Sequence, residues 1–436
     1  MRFATISAAL AALLVLTSEP MARTWQILPD GTGDAPTIQA GIDSSANGDT
    51  VSLGNGTFTG EGNQDVTFRG LAVVVRSNSE DPVLCVVDCE DPGGGFHRGF
   101  LFITSEGSGS ILEHVSIINA FATPRGGAIR CVGSSPTIRG CVLKWNRSVA
   151  GGALALENGS APTVEDCWFI ENSATYAGGA VLCINSGAAQ FTRCEFIDNQ
   201  AVSIGGAGVI QGSNPGFTGC LIEGNTAYGG GGLYCYSEAR IHIVNCDVRD
   251  NHATGGDGGG LVCAATDLAI EGCTFYGNTT AVAGGAIAIS TGVPILRNLT
   301  LVGNSAYRGG GISIAWVDPI IEIENVVIAH SGSGGAISCT SSPSPDVRCS
   351  NLFGNTGGDW SGCVAGQNGV NGNVSTDPLF CDATAGDFTL HSNSPCAPGN
   401  HPDGAACGLI GALGVGCGPT TATEQTSLGE IKSLFR

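Results

Sequence analysis

The sequence predicts an all-β fold, a right-handed single-stranded parallel β-helix, in which one strand-rich coil is repeated along the chain. Three observations support this fold: a motif period of 26 or 27 residues, apolar residues that alternate within each period, and 69 glycines among 436 residues. A fixed period of this length indicates a solenoid, and the alternation is that of strands with one buried face. So much glycine disfavours stacked helices, and parallel crossovers are strongly right-handed.

One asparagine recurs in each period, five positions after a cysteine or, in the last case, a leucine. The asparagines are Asn146, Asn172, Asn199, Asn225, Asn251, Asn278 and Asn304. Stacked coils are about 4.8 Å apart, so each side-chain amide can bond to the one in the next coil. Asparagine also accepts turn conformations and satisfies backbone groups there. We therefore interpret the column as an internal hydrogen-bonded seam at a corner of the coil.

Glycine pairs and cysteines keep the same period. The pair recurs before a small and an apolar residue, as in Gly178-Gly179-Ala180-Val181, and indicates a corner where a β-carbon does not fit or where φ is positive. Eleven of the 19 cysteines fall in two columns, where they alternate with leucine and isoleucine. Cysteine here is predicted to be a small buried apolar residue, because stacked parallel side chains disfavour disulfides and a straight column does not converge on a metal ion.

The N-terminal segment divides into two parts. Residues 1–22 contain a basic start and an apolar run from Ala4 to Leu16, which predict a secretory signal peptide. The predicted β-helix with its N-terminal cap covers residues 23–356. At its start, Ile38 and Ile42 fall on one face of a short helix that would cover the open edge of the first coil. No later transmembrane segment is predicted.

The C-terminal region departs from the period. Residues 357–418 are predicted to form a cysteine-rich cap on the last coil, followed by a linker and short tail at residues 419–436. Four cysteines, Cys381, Cys396, Cys407 and Cys417, are expected to form two disulfides, with all three pairings open. Cys85 and Cys89 are close enough in sequence to pair locally. The tail has two interpretations, a frayed terminus or a sorting segment.

Two resemblances add to this prediction. The stretch PTIQAGIDSSANGDTVSLGNGTF, from Pro36 to Phe58, resembles the N-terminal cap of pectin-lyase-like right-handed β-helix proteins. The GGA[ILV] and FxxN elements, such as Phe169 to Asn172 and Phe196 to Asn199, resemble the repeats of polymorphic outer-membrane proteins. Both resemblances imply a β-helix, and the second implies a bacterial cell surface. Neither implies a reaction, because a fold does not define one.

The search for an active site yields only acidic candidates. The NTD, GHG and RIK strings of polygalacturonases, which the resemblance would imply for an enzyme, are absent. Glu171 and Asp198 are candidate catalytic residues, because equivalent positions on adjacent coils would suit a retaining glycosidase pair. Glu195, Asp247 and Asp250 are candidate ligands for Ca²⁺, the one cofactor considered. The alternative is that these are solvated carboxylates of an acidic chain.

A second candidate surface is apolar and aromatic. In the strand predicted after each glycine pair, the outward positions include Leu182, Ile184, Tyr234, Tyr236 and Val262. Exposed aromatic residues on a flat solenoid face could stack on sugars or contact a partner, and Tyr234 and Tyr236 are the candidate ligand-binding residues. The alternative is that a loop covers them.

Charge limits the class of partner. The chain has 38 acidic and 18 basic residues and a formal net charge of −20, which disfavours nucleic acid and anionic surfaces. The preferred interpretation is an exported, monomeric, non-catalytic protein of the cell surface or extracellular space that serves adhesion, matrix or carbohydrate binding. Its partner would be a polysaccharide or another surface protein. The alternative is a carbohydrate-active enzyme, either a polysaccharide lyase or a glycoside hydrolase.

Overall fold

The computed structural model describes residues 21–90, 95–264, 267–292, 294–317, 320–341 and 344–417. Within these residues the chain winds into a right-handed parallel β-solenoid of about 15 turns. Nearly all of the predicted signal peptide and the whole of the predicted tail at 419–436 lie outside the described residues. The predicted fold class is confirmed.

Each turn passes through four strand positions, of which the first two belong to one bent sheet. In the described residues this bent sheet has 23 strands. Its first column contains Thr24–Ile27, Thr50–Leu53, Val74–Ser77, Ile111–Glu113, Thr137–Arg139, Thr163–Glu165, Gln190–Thr192, Gly216–Thr218, Arg240–Val244, Asp267–Glu271 and Asp346–Arg348. Its second column contains Gly56–Phe58, Cys85–Asp88, Ser116–Ile118, Val142–Lys144, Trp168–Ile170, Glu195–Ile197, Leu221–Glu223, Asp247–Arg249, Thr274–Tyr276 and Asn351–Phe353. Two longer strands, Ile295–Val302 and Glu322–Ala329, run through both columns.

The third and fourth strand positions form two separate sheets. In the described residues the corner sheet has seven short strands, Phe121–Arg125, Arg147–Ala150, Ser173–Ala177, Gln200–Ala201, Thr226–Ala227, His252–Ala253 and Thr279–Thr280. The flat sheet has eleven there, Val66–Thr67, Phe100–Phe102, Ile129–Val132, Leu154–Glu157, Val181–Ile184, Gly208–Gln211, Leu233–Tyr236, Leu261–Ala264, Ile287–Ile289, Ile312–Ala315 and Ile337–Thr340. Each strand pairs in parallel with its equivalent in the next turn, as Val181–Ile184 does with Gly208–Gln211.

The asparagine column occupies the corner between the bent sheet and the corner sheet. Asn199 illustrates the pattern: its side-chain amide donates to Oδ1 of Asn225 at 2.9 Å and to the carbonyl of Phe169 at 2.8 Å. Its own Oδ1 accepts from the backbone N–H and the side chain of Asn172 at 2.9 and 3.0 Å. All seven asparagines of the column are buried. Each one therefore satisfies backbone groups of the preceding turn that water does not reach.

The glycine pairs occupy the corner between the corner sheet and the flat sheet. The first glycine of a pair has positive φ, as at Gly178 with φ +65°. The second is held against the neighbouring turn, so a β-carbon on Gly179 would lie 2.7 Å from the backbone nitrogen of Gln200. The first glycine of the pair is thus required because its φ is positive, and the second because there is no room for a β-carbon.

The core runs as one apolar column through the solenoid. Its layers contain stacked phenylalanines, such as Phe169 on Phe196 at 4.8 Å between ring centroids, and the buried cysteines of the two repeat columns. At the N-terminal end, the helix Ile38–Asp43 covers the core with Ile38 and Ile42, and Thr37 caps it by accepting from the N–H of Ala40 at 3.2 Å.

The C-terminal segment has two parts with different positions. The first covers the end of the solenoid, where Trp360 and Val364, the latter in the short 3-10 helix Gly362–Val364, pack against the core. The second folds back along the outer side of the bent sheet. It contains a small sheet of Phe380–Asp382, Asp387–His391 and Val415–Cys417. Leu390 and Ile410 pack there against Val327 and Ala329. The expectation of a cap on the last coil describes only the first part.

The disulfides differ from the expected set. Cys381 bonds to Cys417, but Cys407 bonds to Cys349 of the solenoid, and a third bond joins Cys339 to Cys363. Cys396 remains a buried thiol that accepts from Nδ2 of Asn351 at 3.1 Å. One disulfide within the four predicted cysteines is thus present, and the prediction is wrong for Cys396 and Cys407, because folding back brings Cys407 beside the solenoid.

Two further cysteine predictions need correction. Cys85 and Cys89 are both buried thiols and do not pair with each other, since the strand Cys85–Asp88 is extended and separates their α-carbons by roughly 13 Å, too far for a disulfide. Cys339, one of the eleven cysteines in the two repeat columns, forms the disulfide with Cys363 instead of being a buried thiol. The other ten cysteines of the two columns are buried thiols.

Thiol titration gives a direct check of this assignment. Six cysteines are in disulfides, and the remaining thirteen are buried thiols. We expect almost no reaction of the native protein with Ellman's reagent and thirteen equivalents in denaturant without reductant, since buried thiols are inert. Fewer equivalents in denaturant would show additional disulfides, and rapid reaction of the native protein would contradict the burial.

In the part of the chain that the structure describes, no helix combines the length and the apolar composition that a membrane span requires.

Candidate functional site

A groove runs along the outer face of the flat sheet. Its floor is made of residues that lie above one another on successive strands, namely Tyr234, Val262, Ala288 and Ser313. The turns next to the glycine corners form one wall, and the residues after the strands form the other. The groove has a volume of about 700 Å³, which lies within the range of ligand sites. We call it the tyrosine groove; Tyr228, Tyr234, Asp257, Val262, Ala288, Arg308, Ser313, Trp316 and Thr340 are among its lining residues.

Aromatic residues are concentrated on this face. Of the six tyrosines in the chain, Tyr276 lies on the bent sheet, and the other five lie on the flat sheet, on the corner sheet or in the turns between these two sheets. Two side chains on opposite walls are well exposed, Tyr228 at 57% and Trp316 at 68%. Exposed aromatic faces on two sides of a groove can stack against a flat, partly apolar ligand.

Tyr234 of the floor pairs with Tyr236, which lies on the same strand but does not line the groove. The rings of Tyr234 and Tyr236 are 5.8 Å apart in an edge-to-face arrangement, and the hydroxyl of Tyr236 donates to Oε1 of Gln211 at 2.8 Å. Burial raises the pKa of both phenols, so they remain neutral at physiological pH. Tyr234 can therefore offer a ligand both an apolar ring and a hydroxyl.

The apolar part of the predicted patch is only partly exposed. Leu182 and Val262 each have 4% relative exposure, whereas Ile184 is half-buried. The interpretation of Leu182 and Val262 as exposed is therefore wrong. Leu182 packs in a cluster with Ile184, Ile204, Tyr234 and Tyr236.

Charge in the tyrosine groove is limited to one pair on the wall. Burial raises the pKa of Asp257, and the charge of Arg308 opposes that shift. Asp257 and Arg308 are the groove's one acidic and one basic lining residue among those described. The lining thus has no net formal charge, in contrast to the chain as a whole.

The structure places Glu171 and Asp198 at the asparagine corner. Each residue directly precedes an asparagine of the asparagine column, and both have positive φ, +52° and +53°. Glu171 accepts from Nε1 of Trp145 at 3.0 Å and lies 3.5 Å from Nζ of Lys144. The side chain of Asp198 leans over Gly224 of the next turn, where a β-carbon would contact its Oδ1. Both acids thus make contacts within the turns at this corner, and neither of them lines the tyrosine groove.

The candidate calcium ligands are on the bent sheet. Glu195 and Asp247 belong to one column, with Leu221 on the strand between them, and Asp250 lies at the asparagine corner. Arg249 lies 3.3 Å from Oδ2 of Asp247, whose Oδ1 accepts from Thr274 at 2.7 Å. In the described ranges no three histidine, cysteine or acidic side chains are grouped as a metal ion requires.

A smaller cleft lies beside these acids. The folded-back segment leaves a space of about 410 Å³ that is lined by Asp247, Thr274, Tyr276, Phe388 and Leu413, among others. The rings of Tyr276 and Phe388 are 5.2 Å apart. Burial raises the pKa of Asp247. This cleft was not predicted, because nothing in the sequence indicates that residues 386–413 return to the side of the solenoid.

Sequence reasoning identified Tyr234 and Tyr236 but missed the walls of the tyrosine groove. Tyr228 lies three residues after Asn225 of the asparagine column, a periodic position that could have drawn attention to it. Trp316 follows a flat-sheet strand directly. Asp257 lies in a turn that is longer than its neighbours, so its position depends on the turn conformation.

Comparison with known proteins gives three findings. The family model described as "Right handed beta helix region" matches residues 88–248 and 171–328. "Metabotropic glutamate receptor-like protein R" of Dictyostelium discoideum is 31% identical over 134 residues, which are 30% of this chain and 8% of that protein. The crystal structure of pectate lyase Pel9A has a TM-score of 0.47 and 15% identity, and the match covers 90% of this chain and 96% of that one. This chain thus spans less than a tenth of the curated relative's length.

Proposed function

We propose that this chain, which belongs to the right-handed β-helix family, is an exported, non-catalytic carbohydrate-binding protein of the cell surface or extracellular space. The observation that carries the proposal is the tyrosine groove, with exposed Tyr228 and Trp316 on its two walls. Aromatic rings above a floor of small and hydroxyl-bearing residues suit the alternating apolar and polar faces of sugars. The fold itself hosts several functions and does not distinguish among them.

Two observations support export. The structure contains three disulfides, which persist in oxidising compartments, and residues 1–22 have the composition of a signal peptide. We propose the division into signal peptide, solenoid at 23–356, C-terminal segment at 357–418 and tail at 419–436 on the same basis. We further propose that the protein acts as a monomer.

A glycan array tests the proposed function. We expect the wild-type protein to be retained on polysaccharide, and to be retained about tenfold less well after Trp316→Ala or Tyr228→Ala, the loss typical of an aromatic contact at a binding site. Phe96→Ala is the matched control, since Phe96 is 65% exposed and does not line the groove. Absence of retention on every glycan, or equal retention of all four proteins, would refute the proposal.

The second candidate function is a carbohydrate-active enzyme. The observation that favours it is the smaller cleft, in which Asp247 lies beside Arg249 and Tyr276, and where burial raises the pKa of both Asp247 and nearby Glu195. Perturbed carboxyl groups in a cleft are typical of catalytic acids. The same array, scored for released sugar with and without Ca²⁺, separates the two candidates: cleavage that Asp247→Asn abolishes would replace binding as the main function.

A further inference from the structure

The length of the tyrosine groove suggests the orientation of its ligand. Its lining residues come from five consecutive strands of the flat sheet, from Tyr234 of Leu233–Tyr236 to Thr340 of Ile337–Thr340. Neighbouring strands are about 4.8 Å apart, so the groove is roughly 19 Å long in the direction of the solenoid axis. A pyranose unit of an extended glycan is about as long as one strand spacing. The groove therefore matches about four or five sugar units laid along the axis.

The floor itself suits sugars that lie flat. After Tyr234 come small residues, Ala288 and Ser313, which leave depth for a ring. The hydroxyl of Ser313 in the floor accepts from Ser338 at 3.3 Å, and Thr340 adds a second hydroxyl at the far end of the groove. Tyr228 and Trp316 belong to turns three strands apart on opposite walls. A chain that runs lengthwise can contact both, whereas a ligand that crosses the groove would meet only one.

The charge of the groove limits the chemistry of the glycan. Its one guanidinium, Arg308, is coupled electrostatically to its one carboxylate, Asp257. The surrounding chain has a net charge of −20 and repels a polyanion. A polycation would find one carboxylate in the groove, whose charge Arg308 offsets. An uncharged chain avoids both costs and uses the aromatic rings and hydroxyl groups that dominate the lining.

We propose that the tyrosine groove binds a neutral polysaccharide lengthwise, parallel to the solenoid axis, over about four or five sugar units. This inference rests on the proposed function, to which it adds the class and the orientation of the ligand. It excludes uronic-acid polymers as the main ligand. It also assigns Tyr228 and Trp316 to different sugar units of one bound chain.

Calorimetric titration with oligosaccharides of defined length tests the inference. The probes are cello-, manno- and malto-oligosaccharides of two to six units, with oligogalacturonates of the same lengths as the anionic series. We expect one neutral series to gain affinity with each unit up to four or five and then to level off. We also expect its affinity to change less than twofold between 0.05 and 0.5 M NaCl, because no net charge is neutralised on binding.

Three variants test whether one bound glycan chain contacts both walls of the tyrosine groove. Trp316→Ala and Tyr228→Ala are each expected to weaken the pentasaccharide about tenfold, and Phe96→Ala is expected to leave it unchanged. A disaccharide that binds as tightly as the hexasaccharide would overturn the lengthwise orientation. Tighter binding of the oligogalacturonates would overturn the neutral class and leave the proposed function intact. A protein that binds neither these probes nor any glycan of the array would refute both.

Discussion

Replacing Asn199 by alanine is expected to lower the free energy of unfolding by about 3–5 kcal/mol, because several buried polar groups lose their partners together. Asn199 accepts from the backbone and side chain of Asn172 and donates to the carbonyl of Phe169 and to Asn225. Its side chain is fully buried, so water cannot replace these bonds without opening the corner. Removing this side chain also breaks the chain of side-chain hydrogen bonds between Asn172 and Asn225.

Urea denaturation followed by tryptophan fluorescence measures this effect. The matched control is Gln200→Ala, which removes the adjacent, exposed side chain and is expected to change stability by less than about 0.5 kcal/mol. If Asn199→Ala unfolds at the same urea concentration as the control, the asparagine column does not hold the corner together. A solenoid can lose turns in steps, so the lowest transition is the one to compare.

The second large effect is expected at the glycine corner. In Gly179→Ala the new β-carbon would lie 2.7 Å from backbone atoms of Gln200 and would also contact the carbonyl of Gly206 in the next turn. These backbone atoms, all of the next turn, cannot move aside as a flexible side chain could. We expect a loss of more than about 3 kcal/mol, or failure to obtain folded protein.

Gly107 provides the control for this substitution. A β-carbon there meets no atom within 4 Å, and its φ is not positive, so Gly107→Ala is expected to be neutral or slightly stabilising. Thermal unfolding by circular dichroism compares the two. Equal melting temperatures for both variants would mean that the corner relaxes easily and that the close approach of the turns is not required.

The repeating part of the fold could be predicted from the sequence. Equivalent residues stack in a solenoid, so the residues equivalent to Asn199 or Gly179 have the same environment in successive turns. Their spacing alone therefore identifies the corner. The C-terminal segment has no such repetition. Its return to the side of the solenoid depends on contacts of Leu390 and Ile410 with distant residues, and the Cys349–Cys407 bond follows from that return.

The candidate site was predictable only in part, for a similar reason. Alternation along a strand identifies Tyr234 and Tyr236 as outward residues, but it does not show what lies above them. The burial of Leu182 depends on the neighbouring turn, including Ile204, and the walls of the groove depend on turns whose length varies. The outward position of Glu171 makes it a catalytic candidate in the sequence, but it does not show the contacts with Trp145 and Lys144 that hold the side chain at the corner.

A crystal structure of the protein with a bound neutral hexasaccharide, chosen from the series that binds best, tests the central claim most directly. We predict density for four or five sugar units along the flat sheet, with one ring stacked on Trp316 and another against Tyr228. Density across the groove, or in the smaller cleft between Asp247 and Phe388, would contradict it.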